Sequence, residues 1–223
     1  MARDSVRRIY FGDWVTDFLQ HILNQDAPST LLLVCSTREL FLEQLFAASH
    51  MQPGEAAERR QILTKTIGLL SKSRRIKLVF CPTLEHLRAY LSVIQSPGSL
   101  HNVSGDGGQT RRPLMAILDP LALHIPTSEF SAQGLSRTFA IAVEVSSQAE
   151  MDLVLCESRD ATDPADSGQG EVLWYTQVPL LNSSVRIGEE STSFRREVPV
   201  KRVMQRWFDF NENEHPVTDT MDV

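Results

Sequence analysis

A chain of 223 residues with 42% hydrophobic content fits one α/β domain with tails and a core of ordinary size. Its formal charge of −6 and pI near 5.5 exclude a protein that coats nucleic acid through bulk charge, so any such contact rests on local basic patches. No run approaches the roughly 18 apolar residues of a membrane span, and the arginine-rich Met1 to Tyr10 leads into no apolar signal core, so a soluble intracellular protein without membrane contact is expected.

Between Val6 and Leu23, the residues Trp14, Phe18 and Ile22, with Val15, Leu19 and Leu23, recur at three-to-four spacing. The pattern predicts an amphipathic helix opened by Gly12 and Asp13, and an N-terminal helical segment over residues 1–29. After the turn signal Asp26 to Ser29, Thr30 to Cys35 is an apolar, β-rich run of strand length, the first core strand. In a phosphate-loop protein, glycines and a GK[ST] ending would follow such a strand at once, because small residues let backbone N–H groups cradle phosphates. Here Ser36, Thr37, Arg38, Glu39 and Leu40 follow. The chain enters a helix (Leu42, Leu45, Phe46) with no cradle.

A second helical stretch is predicted from Ala56 to Leu70, with Ile62, Thr66, Leu69 and Leu70 on one side, then a polar connection Ser71 to Arg75 and a second strand, Ile76 to Cys81. Pro82 to Glu85 starts another helix, on which Leu84, Leu87, Leu91 and Ile94 repeat at helical spacing. Ser96 to Thr110 is rich in Ser, Gly and Asn. Its SGDGG run follows no strand and has no downstream GK[ST], so it is predicted as a flexible loop.

The apolar run Leu114 to Leu118 ends abruptly in Asp119, and Pro120 follows. Four or five apolar residues and a carboxylate outline a Walker B strand, whose aspartate holds magnesium beside nucleotide phosphates. The same residues also fit a simpler role, in which Asp119 ends the strand and caps the turn that Pro120 begins. A helix over Ser131 to Ser147, with the stripe Leu135, Phe139, Ala142, Val143 and Ser146, leads to a fourth strand, Asp152 to Cys156. Arg159 to Gly170 is acidic, carries Pro and Gly, and is predicted as an exposed loop.

From there the character changes. Glu171 to Pro179, Ser184 to Gly188 and Val198 to Phe210 are β-rich with turn-prone linkers, which predicts antiparallel strands, and Asn211 to Val223 is predicted as an acidic disordered tail. The C-terminal region holds a basic cluster, Arg195, Arg196, Lys201, Arg202 and Arg206, interleaved with Phe194, Trp207 and Phe208. Strand alternation puts Arg202 and Arg206 on one face around Met204, with Lys201 opposite beside Val203 and Trp207. Cations near aromatic rings suit phosphate contact and base stacking, and equally suit an edge strand that uses charge against aggregation.

Candidate catalytic chemistry is sparse. Cys35, Cys81 and Cys156 each close an apolar run, which fits core packing, while a metal or redox site at the converging strand ends lacks closely spaced partner ligands. The six histidines show no HExxH-like pairing, and no Ser/His/Asp or Cys/His set stands at familiar spacing.

Four strands separated by helices predict a mostly parallel sheet with right-handed crossovers, extended at one edge by the C-terminal antiparallel strands. In this order and pattern the sequence resembles the RecA-like recombinase paralogues, in particular the small members that make up Shu-type complexes. The resemblance runs from about 30 to 210 through TLLLVCS, the Walker B-like LMAILD, SRTFAIAVEVSSQAEMDLVLCE, LWYTQVPLLNSSVRI and VPVKRVMQRWFDF. An accessory RecA-like subunit of Elongator resembles the same core. The resemblance implies a RecA-like three-layer α/β core over 30–210 and, with the Walker A loop missing, a pseudo-ATPase without cofactor or catalytic residue in which Asp119 is a Walker B remnant. It further implies a nuclear adaptor in homologous-recombination DNA repair that pairs with another RecA-like paralogue and reaches single-stranded DNA through Arg195, Arg196, Lys201, Arg202 and Arg206. The alternative is a structural subunit of an Elongator-type tRNA-modification complex.

Overall fold

The computed structural model describes residues 5–50, 67–94, 111–163, 165, 168–180 and 196–210. The chain opens on a strand, Arg7–Ile9 (β1), and only then enters the predicted amphipathic helix, Val15–Asn24 (α1). The helical spacing is right from Trp14 onward, but the preceding residues pair in parallel with a strand that lies much later in the chain. Trp14 N–H donates to the Asp17 carboxylate at 3.1 Å, which fixes the first turn of α1. Val15, Phe18 and Ile22 form its buried face.

Thr30–Val34 (β2) is buried at all five positions. Arg38–His50 (α2) follows at once, with Thr37 Oγ1 accepting from Leu40 N–H at 3.2 Å. This helix buries Phe41 and Ala48, whereas Leu42 and Phe46, two of the apolar residues that mark it in the sequence, are exposed. Ile67–Ser73 (α3) replaces the expected polar connection, because the helix runs on through Ser71 to Ser73. The predicted helix over 56–66, the glycine-rich loop, Ser184 to Gly188 and the acidic tail lie outside the described residues.

Ile76–Phe80 (β3), Leu84–Val93 (α4), Leu114–Leu118 (β4), the short Pro120–His124 (α5), Ala132–Gln148 (α6) and Asp152–Cys156 (β5) come next, in the order the hydrophobic pattern predicts except for α5, where a loop through Pro126 was expected. Thr83 and Ser131 cap α4 and α6 by accepting from His86 and Gly134 N–H. Gly134 has a steric reason. A Cβ there would fall inside the contact radius of the Glu129 carbonyl oxygen, so the first turn of α6 reaches that backbone only with glycine.

The five strands form one sheet in the order β1-β5-β4-β2-β3, and every pairing is parallel. Successive residues leave for opposite faces. Leu31, Leu33, Met115, Ile117, Leu153 and Leu155 pack with Leu87 and Leu91 of α4 and Leu135, Phe139 and Ala142 of α6. Leu32, Val34, Ala116, Leu118, Val154 and Cys156 pack with Val15, Phe18 and Ile22 of α1 and with Phe41 and Ala48 of α2. The result is a three-layer α/β domain. Each fully buried Leu or Phe contributes about 1.5–3 kcal/mol of transfer free energy.

The C-terminal segments include the expected antiparallel strands but differ from expectation elsewhere. Gly170–Tyr175 is a 3₁₀ helix, Gln177–Pro179 (β6) and Glu197–Pro199 (β7) form a separate antiparallel pair, and Val200–Met204 (α7) is helical where a long strand was predicted. Trp174, Val200, Met204 and Phe208 are buried in the same core as Phe139, so these segments roof one face of the sheet. Beyond α7 the chain rejoins the sheet at its β1 edge, where Ile9 N–H donates to Asp209 O and Asp209 N–H to Arg7 O, both at 3.0 Å.

Candidate functional site

In an open parallel sheet, ligands bind beyond the carboxyl ends of the strands, where connections part toward opposite faces. Here α2 leaves β2 on one face while α6 belongs to the other. The strands flanking that parting are β2 and β4, which are direct neighbours. The crevice position is therefore set by Cys35 to Thr37 after β2 and by Asp119 after β4.

Asp119 has left-handed backbone angles (φ 58°, ψ 41°), which aspartate tolerates better than most side chains. It stands at the start of α5, with Pro120 in the first turn, but its side chain does not cap that helix. Instead the carboxylate turns to the neighbouring strand. Ser158 N–H donates to Asp119 Oδ1 at 2.6 Å, and Ser158 Oγ lies 2.9 and 3.1 Å from its two oxygens. The cap of α5 comes from Glu157, which accepts from Leu121 N–H at 2.5 Å and from Ala122 N–H at 3.3 Å. Asp119 thus does end its strand, as the simpler of its two roles held, but the turn after it is capped by a residue 38 positions on.

Two carboxyl groups therefore sit side by side at the carboxyl edge. Burial is the largest influence on Asp119 and, with the nearby Asp160 charge, outweighs the Ser158 donors, so its pKa rises from 3.8 to about 6. Burial and then the Asp119 charge push Glu157, which is 2% exposed, well above the ordinary carboxylate range. Asp160 goes the other way. Burial works against its charge, but donors from Thr162, Gln44 and Asp163 outweigh that and hold it below the usual value. Gln44 of α2 donates to Asp160 at 2.5 Å and accepts from Ala161 N–H at 2.7 Å, so the loop after β5 is tied across the crevice to the helix after β2.

The cysteines border the same edge, and all three are buried free thiols. Burial raises each one's pKa, and the Glu157 and Asp119 carboxyls raise Cys35 and Cys156 further, so they stay protonated at neutral pH. Among the described residues no group of three His, Cys, Asp or Glu side chains is arranged to hold a metal ion. His124 is fully buried on the other face of α5, with Nδ1 2.8 Å from Pro120 O and Nε2 3.0 Å from Thr138 Oγ1. Burial lowers its pKa, so it is a neutral core histidine.

The basic cluster is reorganised by α7. Strand alternation does not apply to Lys201 to Met204, which belong to α7, and Arg206 follows in the turn after it. Arg202 and Arg206 are exposed, as is Arg196 at the start of β7, and Arg206 lies 5.5 Å from the Trp207 ring. Lys201 lies against two rings at the surface. Its Nζ lies 4.9 and 5.5 Å from the Tyr175 and Phe210 rings and 3.3 Å from Tyr175 Oη. Arg195 and Phe194 lie outside the described residues. Phe208 is buried and Trp207 half-buried.

Sequence reasoning found Asp119 and missed Glu157 and Ser158. The available signal was a carboxylate placed directly after the apolar strand Leu153 to Cys156, as Asp119 is placed after its own. No helix among the described residues is long and apolar enough to cross a membrane. No curated protein matches the sequence. A family model described as SPAC22G7.03-like, a description that names no activity, matches residues 13–215, and the chain belongs to that family.

Proposed function

We propose that the protein is a non-catalytic adaptor that works by joining a partner chain and has no nucleotide chemistry of its own. The observation that carries this is the state of the carboxyl edge. The acid that would hold magnesium is bonded to Ser158, its neighbour Glu157 caps α5, and Gln44 ties the loop after β5 to α2 across the crevice. A nucleoside triphosphate there would meet buried carboxyls with no glycine-rich cradle and no lysine. The RecA-like resemblance supplies the setting: pairing with another paralogue in homologous-recombination repair, with single-stranded DNA reached through the exposed Arg196, Arg202 and Arg206.

Calorimetry with magnesium-ATP tests the first part, and no binding is expected. Micromolar, magnesium-dependent binding that disappears in Asp119→Ala would overturn it. Affinity purification from the native cell tests the setting, since recombination factors and Elongator subunits are separate sets. For the DNA contact, Arg202→Ala with Arg206→Ala should reduce the log–log salt slope for a labelled single strand by about 1.4, at about 0.7 per phosphate contact. An unchanged slope in the folded variant would make these arginines a solvated surface or a protein interface.

A further inference from the structure

The opposite, amino-terminal edge of the sheet has the reverse charge. Thr30 pairs with Ile76 on one side and Leu114 on the other, so the residues entering β2, β3 and β4 stand together. Those segments bring Lys72, Arg74, Arg75, Lys77, Arg111 and Arg112 to one end of a molecule whose formal charge is −6. Two of the six have structural work. Lys72 Nζ donates to Leu23 O at 3.1 Å and Arg111 Nη1 to Gln25 O at 2.9 Å, satisfying carbonyls at the end of α1, and both face the Asp26 carboxylate, at 3.2 and 4.0 Å.

The other four have no ion-pair partner among the described residues. Arg74, Arg75 and Lys77 are exposed and Arg112 is half-buried. Asp26 is already shared, and among the described residues the other acids of this edge, Glu150 and Asp152, lie on the β5 side beyond β4. Across the edge, β3 and β4 are about 10 Å apart, two strand spacings. None of the four has an aromatic neighbour within two positions, and the described cation–ring contacts belong to Arg159, Lys201 and Arg206 instead.

We propose that this amino edge is a docking surface for the phosphate backbone of double-stranded nucleic acid, bound without sequence preference by Arg74, Arg75, Lys77 and Arg112. Three arginines and a lysine suit phosphate oxygens. The absence of rings removes the stacking that draws single strands. A duplex, with one charge per about 1.7 Å of axis, gives a compact cationic patch the denser counter-charge. The surface is separate from the C-terminal arginines, so a failure here leaves the adaptor reading standing and the converse also holds.

The test uses the full chain and a short labelled duplex of mixed sequence, followed by anisotropy over a salt series, with an oligo-dT strand and polyglutamate as competitors. Four contacts give a log–log slope of about −3.6. Arg74→Ala with Arg75→Ala should weaken duplex binding about tenfold or more at low salt and reduce the slope by about 1.8, while Arg38→Ala, an exposed arginine at the opposite edge, leaves duplex affinity within about twofold. Lys77→Ala with Arg112→Ala should act like the first pair and serves if that variant fails to fold. Duplex binding that is absent, or unchanged in both amino-edge pairs, overturns the proposal. So does competition by oligo-dT or polyglutamate that matches unlabelled duplex charge for charge.

Discussion

The two ends of the central sheet treat charge in opposite ways. At the carboxyl edge, Asp119, Glu157 and Asp160 are bonded to donors within the chain. At the amino edge, Arg74, Arg75 and Lys77 turn outward. The helices of such a sheet point their positive ends toward the carboxyl edge, which ordinarily attracts an anion. Here the chain's own carboxyl groups occupy that field. The place where the fold usually binds is built into the structure, and the charge left for a partner stands at the other end.

The largest expected contrast is between Glu157→Ala and Arg75→Ala. The first removes a 2% exposed side chain and leaves the N–H groups of Leu121 and Ala122 without their acceptor, which costs roughly 2–4 kcal/mol. The second removes an exposed side chain and should stay within about 0.5 kcal/mol. Urea unfolding of the two variants measures both. Equal small effects would mean that the carboxyl edge is not structural, and the comparison would fail.

A pH series sharpens the same point. Because the folded pKa of Asp119 lies near 6 and its ordinary value is 3.8, the folded state holds the proton more tightly than the unfolded chain. Its contribution is therefore fully present below about pH 4 and is lost as pH rises through 6, on the order of 3 kcal/mol. Glu157 has the same sign over a higher range. His124 opposes them, since its lowered pKa means that stability is lost as pH falls below 6.5. Asp119→Asn isolates the first effect, because an amide can still accept from Ser158 N–H and donate to Ser158 Oγ. The variant should gain stability relative to the parent as pH rises from 4 to 7. A constant difference across that range would show that Asp119 is ionised throughout.

A smaller effect separates Asp119 from its partner. Ser158→Ala removes the hydroxyl but keeps the backbone donor at 2.6 Å, and about 1 kcal/mol of destabilisation is expected at neutral pH. Thermal unfolding reads it. No loss would place the hold on Asp119 entirely in the backbone N–H.

What was legible in the sequence follows from how local its cause is. The runs Thr30 to Val34, Leu114 to Leu118 and Asp152 to Cys156 are apolar with no competing period, and the stripe Leu135, Phe139, Ala142 can only be helical, so those elements were predicted with near-correct ends. Arg7 to Ile9 has two arginines in three residues and becomes a strand only because Leu153 to Leu155 offers it a ladder. Glu171 to Tyr175 is rich in β-favouring Val, Trp and Tyr yet winds as a 3₁₀ helix, with Leu173 and Trp174 buried. In the segment VPVKRVM, apolar Val198, Val200 and Val203 fit alternation only in part. Val200 and Met204 also stand at i, i+4, and burial against Phe139 and Trp174 decides for the helix. The acid at the end of β4 was visible for the same local reason as its strand. Its union with Glu157 and Ser158 was not, since it depends on β4 and β5 being neighbours.

The smallest expected effect concerns the C-terminal cations, where a ring-held cation and an exposed one stand on two adjacent residues. Lys201 lies over Tyr175 and Phe210 with its ammonium 3.3 Å from the tyrosine hydroxyl, so Lys201→Ala loses a cation–ring contact and packed methylenes, worth about 0.5–1 kcal/mol. Arg202 is exposed on the same short helix, and its replacement by alanine should fall within about 0.5 kcal/mol. In a single-strand binding assay the order reverses. On the proposed strand contact, Arg202→Ala is expected to lower the salt slope by about 0.7, while Lys201→Ala leaves the slope unchanged. A slope that falls with Lys201→Ala instead would mean that the lysine leaves its rings to meet the strand, and would return it to the contact surface.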